Sequence, residues 1–289
     1  MSETNVYAEE WAVKYQERLN HPTNWKEVCR VDYTDTRVLN NPYMSTTPSI
    51  QDGTRGTAFT FQTYAYTNES ITISTYRELG VFIDRADLAQ TGFDTQMDMA
   101  TRLGALMDEK LESAMLASHA SFTNMGDTGG GAIGLAATAF TVSATNIDDI
   151  IRAVKREIRV ANGKSQMRQN GVFIIWRPAD FELLEAFVQA NGFSTADNAL
   201  KNGTDEGFRY LGVDHYYSND HTASHLFAGV KKQLHLGICR STWGQISVIQ
   251  NPAGSSGGVL SGIGIHVRGD FAFKVWTTVL PILFDINVN

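Results

Sequence analysis

Two extended runs followed by one long helical stripe dominate the pattern of apolar and polar positions. Residues 55–66 (RGTAFTFQTYAY) and 70–83 (SITISTYRELGVFI) are rich in Thr, Tyr, Phe, Val and Ile, which suit the pleated surface of a strand. Thr67, Asn68 and Glu69 between them are polar enough to turn, so the pair predicts a hairpin. At about 12 residues per arm and ~3.3 Å per residue it reaches roughly 40 Å. An isolated hairpin is barely stable in water, so this one is expected to lie on another surface. The helix follows at once. Asp94 suits an N-cap, and Leu103, Met107, Leu111 and Ala114 recur at helical spacing. Asp98, Arg102, Glu109 and Glu112 mostly lie off that stripe and are expected on the polar face. From 94 to 119 the rod spans about 39 Å at ~1.5 Å per residue, with only Gly104 as a breaker.

The flanking segments follow the same logic. Tyr7, Trp11, Tyr15 and Leu19 fall at i,i+4 spacing and predict a short amphipathic helix stopped by Pro22. Residues 23–54 show no sustained period and carry Pro42, Pro48 and Gly53, which reads as an extended arm. The glycine-rich stretch 124–134 reads as a flexible connection and an internal boundary. Beyond it, Ile147, Ile150, Ile151, Val154 and Ile158 form one helical face, with Thr145 or Asn146 as cap. Val172–Trp176 (VFIIW) predicts a buried strand and Pro178 opens a helix that Gly192 can stop. Residues 210–217 and 225–230 predict further strands, so 135–240 forms a β/α piece. Residues 241–289 read as extended throughout, in runs 246–250, 263–268, 271–277 and 282–288. These are expected to pair with one another and cover the long helix.

Composition narrows the function classes. The 289 residues are 43% hydrophobic and 19% charged, a globular balance. A net charge of −7 argues against a basic nucleic-acid grip, though not against a wall that encloses nucleic acid. Cys29 and Cys239 are too few and too far apart for a disulfide framework, which favours a reducing compartment. The start, MSETNVYAEE, lacks signal-peptide regions, and no run of about 18 apolar residues occurs. No membrane partner is expected.

Four local patterns resemble chemical motifs. Gly129 to Gly134 fits G-x-G-x-x-G but lacks the preceding strand and following helix, so it reads as a loop. Gly163-Lys164-Ser165 resembles the end of a phosphate loop, but Ile158 stands where its first glycine belongs. Gly254-Ser255-Ser256-Gly257-Gly258 fits G-x-S-x-G without the helix a nucleophile elbow needs. His215, His221 and His225, interleaved with Asp214 and Asp220, offer zinc-type ligands at intervals that match no helical pair; they are expected as loop and strand histidines. No catalytic set, cofactor site or metal site is therefore expected.

The order of parts resembles the major capsid proteins of tailed bacteriophages, whose fold is shared with encapsulins. An arm leads to a projecting hairpin ending in YRELGVFIDRADLAQ (76–90). A spine helix, a β/α segment and strands such as GIGIHVRGDFAFKVW follow. The resemblance implies an α+β fold. It divides the chain into an N-terminal arm (1–54), an extended loop (55–85), and a peripheral domain with the spine (86–134). An axial domain (135–240) and C-terminal strands returning to the periphery (241–289) complete it. It further implies a non-enzymatic shell protein, assembling as pentamers and hexamers around double-stranded DNA, located in the virion and in host cytoplasm during assembly. Expected partners are copies of itself, a separate scaffolding protein and a portal. The residues expected between subunits are Arg55, Phe59, Phe61, Tyr64, Tyr66, Tyr76 and Arg77 on the loop, with Trp11 and Tyr15 on the first helix. Residues 50–85 hold no Lys, so the covalent welding some members make through this loop is not expected. The two alternatives are an encapsulin-like compartment holding cargo and, more remotely, an α/β hydrolase-type enzyme in 135–240.

Overall fold

A computed structural model describes residues 23–45, 48–58, 61–85, 95–190, 208–221, 224–253 and 260–289. Trp11, Tyr15, Phe59, Asp94, Gly192 and the 254–258 motif lie outside the described residues.

The spine is α2 (Thr95–Ala117), 23 residues long, close to its predicted span. Leu103, Met107 and Leu111 are buried on one stripe as their spacing predicts. Two sheets use that stripe, one at each end of the rod. Leu103 and Met107 pack with Ile83, Ile265 and Val267 of the first sheet. Leu111, Met115 and Leu116 pack with Phe173, Ile175, Phe227 and Leu283 of the second.

The first sheet has five strands centred on β13 (Gly262–Val275). The predicted runs 263–268 and 271–277 thus merge into one 14-residue strand. Along one side lies β4 (Thr75–Asp84), antiparallel from Gly262↔Asp84 to Phe271↔Thr75. Along the other lie β12 (Gln245–Gln250) and β11 (Leu234–Cys239), the latter extended in parallel by β1 (Arg30–Thr34). Leu79, Val81 and Ile83 of β4 face the spine, which is why this run alternates apolar and polar.

The second sheet has seven strands, in the spatial order β6 (Ile133–Gly134), β5 (Thr123–Asp127), β14 (Leu283–Asn287), β10 (His225–Val230), β7 (Val172–Trp176), β9 (Val213–Tyr217) and β8 (Phe208–Tyr210). Strand β7 (Val172–Trp176) sits inside it with all five residues buried. Val172, Ile174 and Trp176 face α3 (Ile147–Val160) and α5 (Pro178–Ala190), which α4 (Lys164–Asn170) separates in the chain, while Phe173 and Ile175 face the spine. Its continuous apolar run follows from burial on both faces. The four isoleucines and the valine of the predicted α3 face are fully buried. Helix α3 starts after Asn146 as expected, but the Asn146 amide accepts from Ser143 N (2.8 Å) and makes no cap to the helix.

Three expectations are corrected. First, 55–66 and 70–83 do not pair. Instead β3 (Tyr66–Thr72) runs straight through the predicted Thr67–Glu69 turn and pairs antiparallel with β2 (Val38–Met44). The projecting hairpin therefore spans 38–72, and part of the predicted arm is its first leg. Second, the run 282–288 packs on the long helix but does not pair with the other C-terminal runs. Strand β14 (Leu283–Asn287) inserts between β10 (His225–Val230) and β5 (Thr123–Asp127) of the second sheet. Third, 124–134 is no loose connection. It forms β5, a glycine turn and β6 (Ile133–Gly134), and a Cβ on Gly126 would lie 2.0 Å from the Thr138 carbonyl oxygen. Within this stretch Gly129, Gly130 and Gly131 take positive φ, at the turn itself.

Candidate assembly surface

The 38–72 hairpin is secured at its base. Ile71 and Ile73 are buried, with Ile71 Cγ2 3.3 Å from where a Cβ on Gly237 of β11 would stand. A larger side chain at 237 would push the hairpin away. Glu69 accepts hydrogen bonds from Thr277 N (3.1 Å) and from the Thr277 hydroxyl. Its carboxyl titrates below the ordinary range: the little burial it has opposes this, and the Thr277 donors outweigh it.

Beyond the paired strands the two legs are kept together by polar contacts. Ser45 N and Oγ both donate to the Ala65 carbonyl (3.0 and 3.1 Å). The Gln62 amide mimics a strand neighbour, accepting from Ser49 N and donating to Ser49 O, each at 2.8 Å. The tip turns at Thr54–Thr57 with Gly56 at φ +90°. Ile50 is 100% exposed, Phe61 87% and Tyr66 68%, and Tyr64 and Tyr66 stack edge to face with centroids 5.6 Å apart. Such a row of apolar side chains in water marks a surface meant to be covered.

Of the residues expected between subunits, Arg55, Phe61, Tyr64 and Tyr66 come together on this tip and its legs. Tyr76 and Arg77 do not: they stand on β4 in the first sheet, where the Arg268 guanidinium lies 5.4 Å above the Tyr76 ring. Arg268 also reaches Asp270 (3.2 Å) and Glu78 (3.7 Å), so the outer face of β4 and β13 carries a mixed-charge strip. Strand β12 is exposed along its whole length, Ile246, Val248 and Ile249 included.

Two buried polar junctions escaped the sequence reading. Glu112, expected on the polar face, is fully buried in the spine and accepts from Asn24 N (2.9 Å), Trp25 N (2.9 Å) and Asn24 Nδ2 (3.2 Å). It receives the start of α1 (Trp25–Val28) and so fixes where the chain enters the body. Burial pushes its carboxyl up to about 7 against the pull of those donors, and Asp220 adds to the rise. The second junction splits the predicted histidine group. His215 goes to the α3 side: Trp176 Nε1 donates to its Nδ1 (2.9 Å), leaving Nε2 to face the Tyr210 carbonyl at 3.3 Å. Burial lowers its pKa to about 4. His225 instead meets Asp285 (2.8 Å) together with His119 (3.0 Å). His221 is brought down to about 4 by burial first and then by Arg177, with weaker effects from His119 and His225. No local spacing announces His119, which lies just past the end of the spine.

No family model and no curated protein matches this sequence. Solved structures do match. A chain from Mycobacterium phage Che8 superposes with a TM-score of 0.69 at 15% identity, over 99% of this chain and 98% of that one. The capsid of Ralstonia phage GP4 gives 0.65 at 9% identity, over 99% and 97%. The capsid of the native GTA particle gives 0.64 at 11% identity, over 98% and 95%. The chain has the phage major capsid protein fold. The match takes in nearly the whole length of each chain.

Proposed function

We propose that the protein is a structural major capsid protein that assembles as pentamers and hexamers into an icosahedral shell around double-stranded DNA. The observation that carries this reading is the hairpin: a rooted base, a self-braced pair of legs, and a tip whose apolar residues face water in the single chain. Laid over a neighbour, a tip and legs covering ~800 Å² would gain about 20 kcal/mol gross at ~25 cal/mol/Å², most of it offset by ordering. The surplus is multiplied because each subunit touches several others. Within this reading the domain division implied by the resemblance shifts: the extended loop becomes 38–72 and β4 joins the peripheral sheet. Scaffolding protein and portal are assembly partners, the virion is the final location, and Arg55, Phe61, Tyr64 and Tyr66 contact the adjacent subunit. The chain acts as a wall and not as an enzyme.

The test is removal of residues 46–64 with a short turn in their place. The cut spares β2, β3, β4 and both cores, so the chain stays folded by circular dichroism but forms no particles in negative-stain images or sedimentation. Normal shells from the deleted chain would refute the assembly role. DNA protected from nuclease inside wild-type particles tests the enclosure of a genome; shells that hold only protein cargo would refute that part.

A further inference from the structure

At the far end of the spine three side chains from distant parts of the chain converge. His119 lies in the turn Ser118–Ser121 after α2, His225 opens β10, and Asp285 sits in mid-β14 on the face toward the spine. The Asp285 carboxylate is 2% exposed. Its oxygens meet His119 Nδ1 at 3.0 Å and His225 Nδ1 at 2.8 Å, and the two imidazoles stack with centroids 4.3 Å apart. Among the described residues no Lys or Arg lies within ion-pair distance of Asp285. A buried carboxylate with only imidazoles beside it lacks compensating positive charge. The buried Nε2 of His221 has no hydrogen-bond partner, but its ring stands outside this cluster of three donors.

We propose that His119, His225 and Asp285, with solvent completing the shell, bind a first-row divalent cation, zinc foremost. The three donor atoms already lie within 4.8 Å of one another. In a tetrahedral zinc site with bonds of ~2.0–2.1 Å, donor atoms stand about 3.3 Å apart, so only small adjustments are needed. Two imidazoles and one carboxylate, with solvent in the fourth position, are a ligand set zinc takes readily, and one that calcium and magnesium do not favour. The ion supplies the missing charge. It also ties the end of the spine to β10 and β14, three elements more than fifty residues apart in the chain. This inference does not depend on the shell reading.

The test uses the full-length chain. After zinc loading and exhaustive dialysis, elemental analysis should find about one zinc per chain. Cobalt(II) in its place should give the intense visible bands of a four-coordinate site. His119→Asn and His225→Asn should each lower zinc affinity at least ~10-fold in a chelator competition, while His266→Asn on the outer sheet face leaves it unchanged. The cobalt spectrum of the wild type decides the matter even where a variant folds poorly. A wild type holding under about a tenth of an equivalent, with cobalt left as the six-coordinate aqua ion, overturns the proposal. Unchanged binding in folded His119→Asn and His225→Asn overturns it as well. In either case the triad is a hydrogen-bonded clasp, with both Nδ1–H groups donating to Asp285.

Discussion

Replacing Glu112 with Gln should flatten the pH dependence of stability. In the folded chain burial, opposed by the Asn24 and Trp25 donors, raises this carboxyl from its ordinary 4.5 to about 7. Between those values the folded chain holds a proton that the unfolded chain has released. Stability therefore falls as pH rises: the contribution is intact below about 4.5 and gone above about 7. At ~1.4 kcal/mol per pH unit the separation is worth about 3 kcal/mol. Glutamine keeps the shape and one acceptor oxygen for Asn24 N and Trp25 N but cannot ionise. Urea unfolding at fixed protein concentration, at pH 5 and pH 8, should show the variant gaining about 3 kcal/mol on the wild type across that range. Every other titrating group is shared by the two proteins and cancels in the difference. Hydrogen exchange at the Asn24 and Trp25 amides gives the local counterpart, with wild-type protection dropping toward pH 8 and variant protection holding level. Parallel pH profiles for the two proteins would refute the reasoning.

On the acid side His215 works in the opposite sense. Burial holds its imidazole neutral down to about 4, whereas the unfolded chain takes up a proton below ~6.5. Its contribution is present above 6.5 and lost as pH falls toward 4, so His215→Gln should lose about 3 kcal/mol less than the wild type between pH 7 and pH 4 in thermal melts. Gly126→Ala puts a Cβ 2.0 Å from a backbone oxygen and should cost about 2–4 kcal/mol by denaturant midpoint. Gly104→Ala, in the interior of the spine with nothing within 4 Å, should stabilise by about 0.5–1 kcal/mol in the same assay.

The sequence is readable where one face of one element decides the burial. The spine stripe, the α3 isoleucines and VFIIW all lie where their periods place them, because each meets a continuous apolar surface. The hairpin was misaligned for a physical reason. VLNNPYM carries two asparagines and a proline and does not look like a strand. Yet β2 belongs to a two-stranded ribbon, so Pro42 can leave its nitrogen on the unpaired side opposite Asn68 without losing a ladder bond. Conversely, Thr67–Glu69 resembles a turn because Glu69 is polar, but its partner Thr277 is 208 residues away. The same holds for Glu112 with Asn24 and for His119 with Asp285, separated by 88 and 166 positions. A buried charge looks like a surface charge until the distant donor that satisfies it is known.

The place of β14 imposes an order on the making of this protein. The slot between residues 123–127 and 225–230 lies inside the second sheet and stays vacant until residue 287 has been synthesised. A nascent chain on the ribosome can therefore build its spine and α3 but not close the layer on which both rest. Chains cut short before 283 would keep raw strand edges on each side of the gap, open to pairing with other chains.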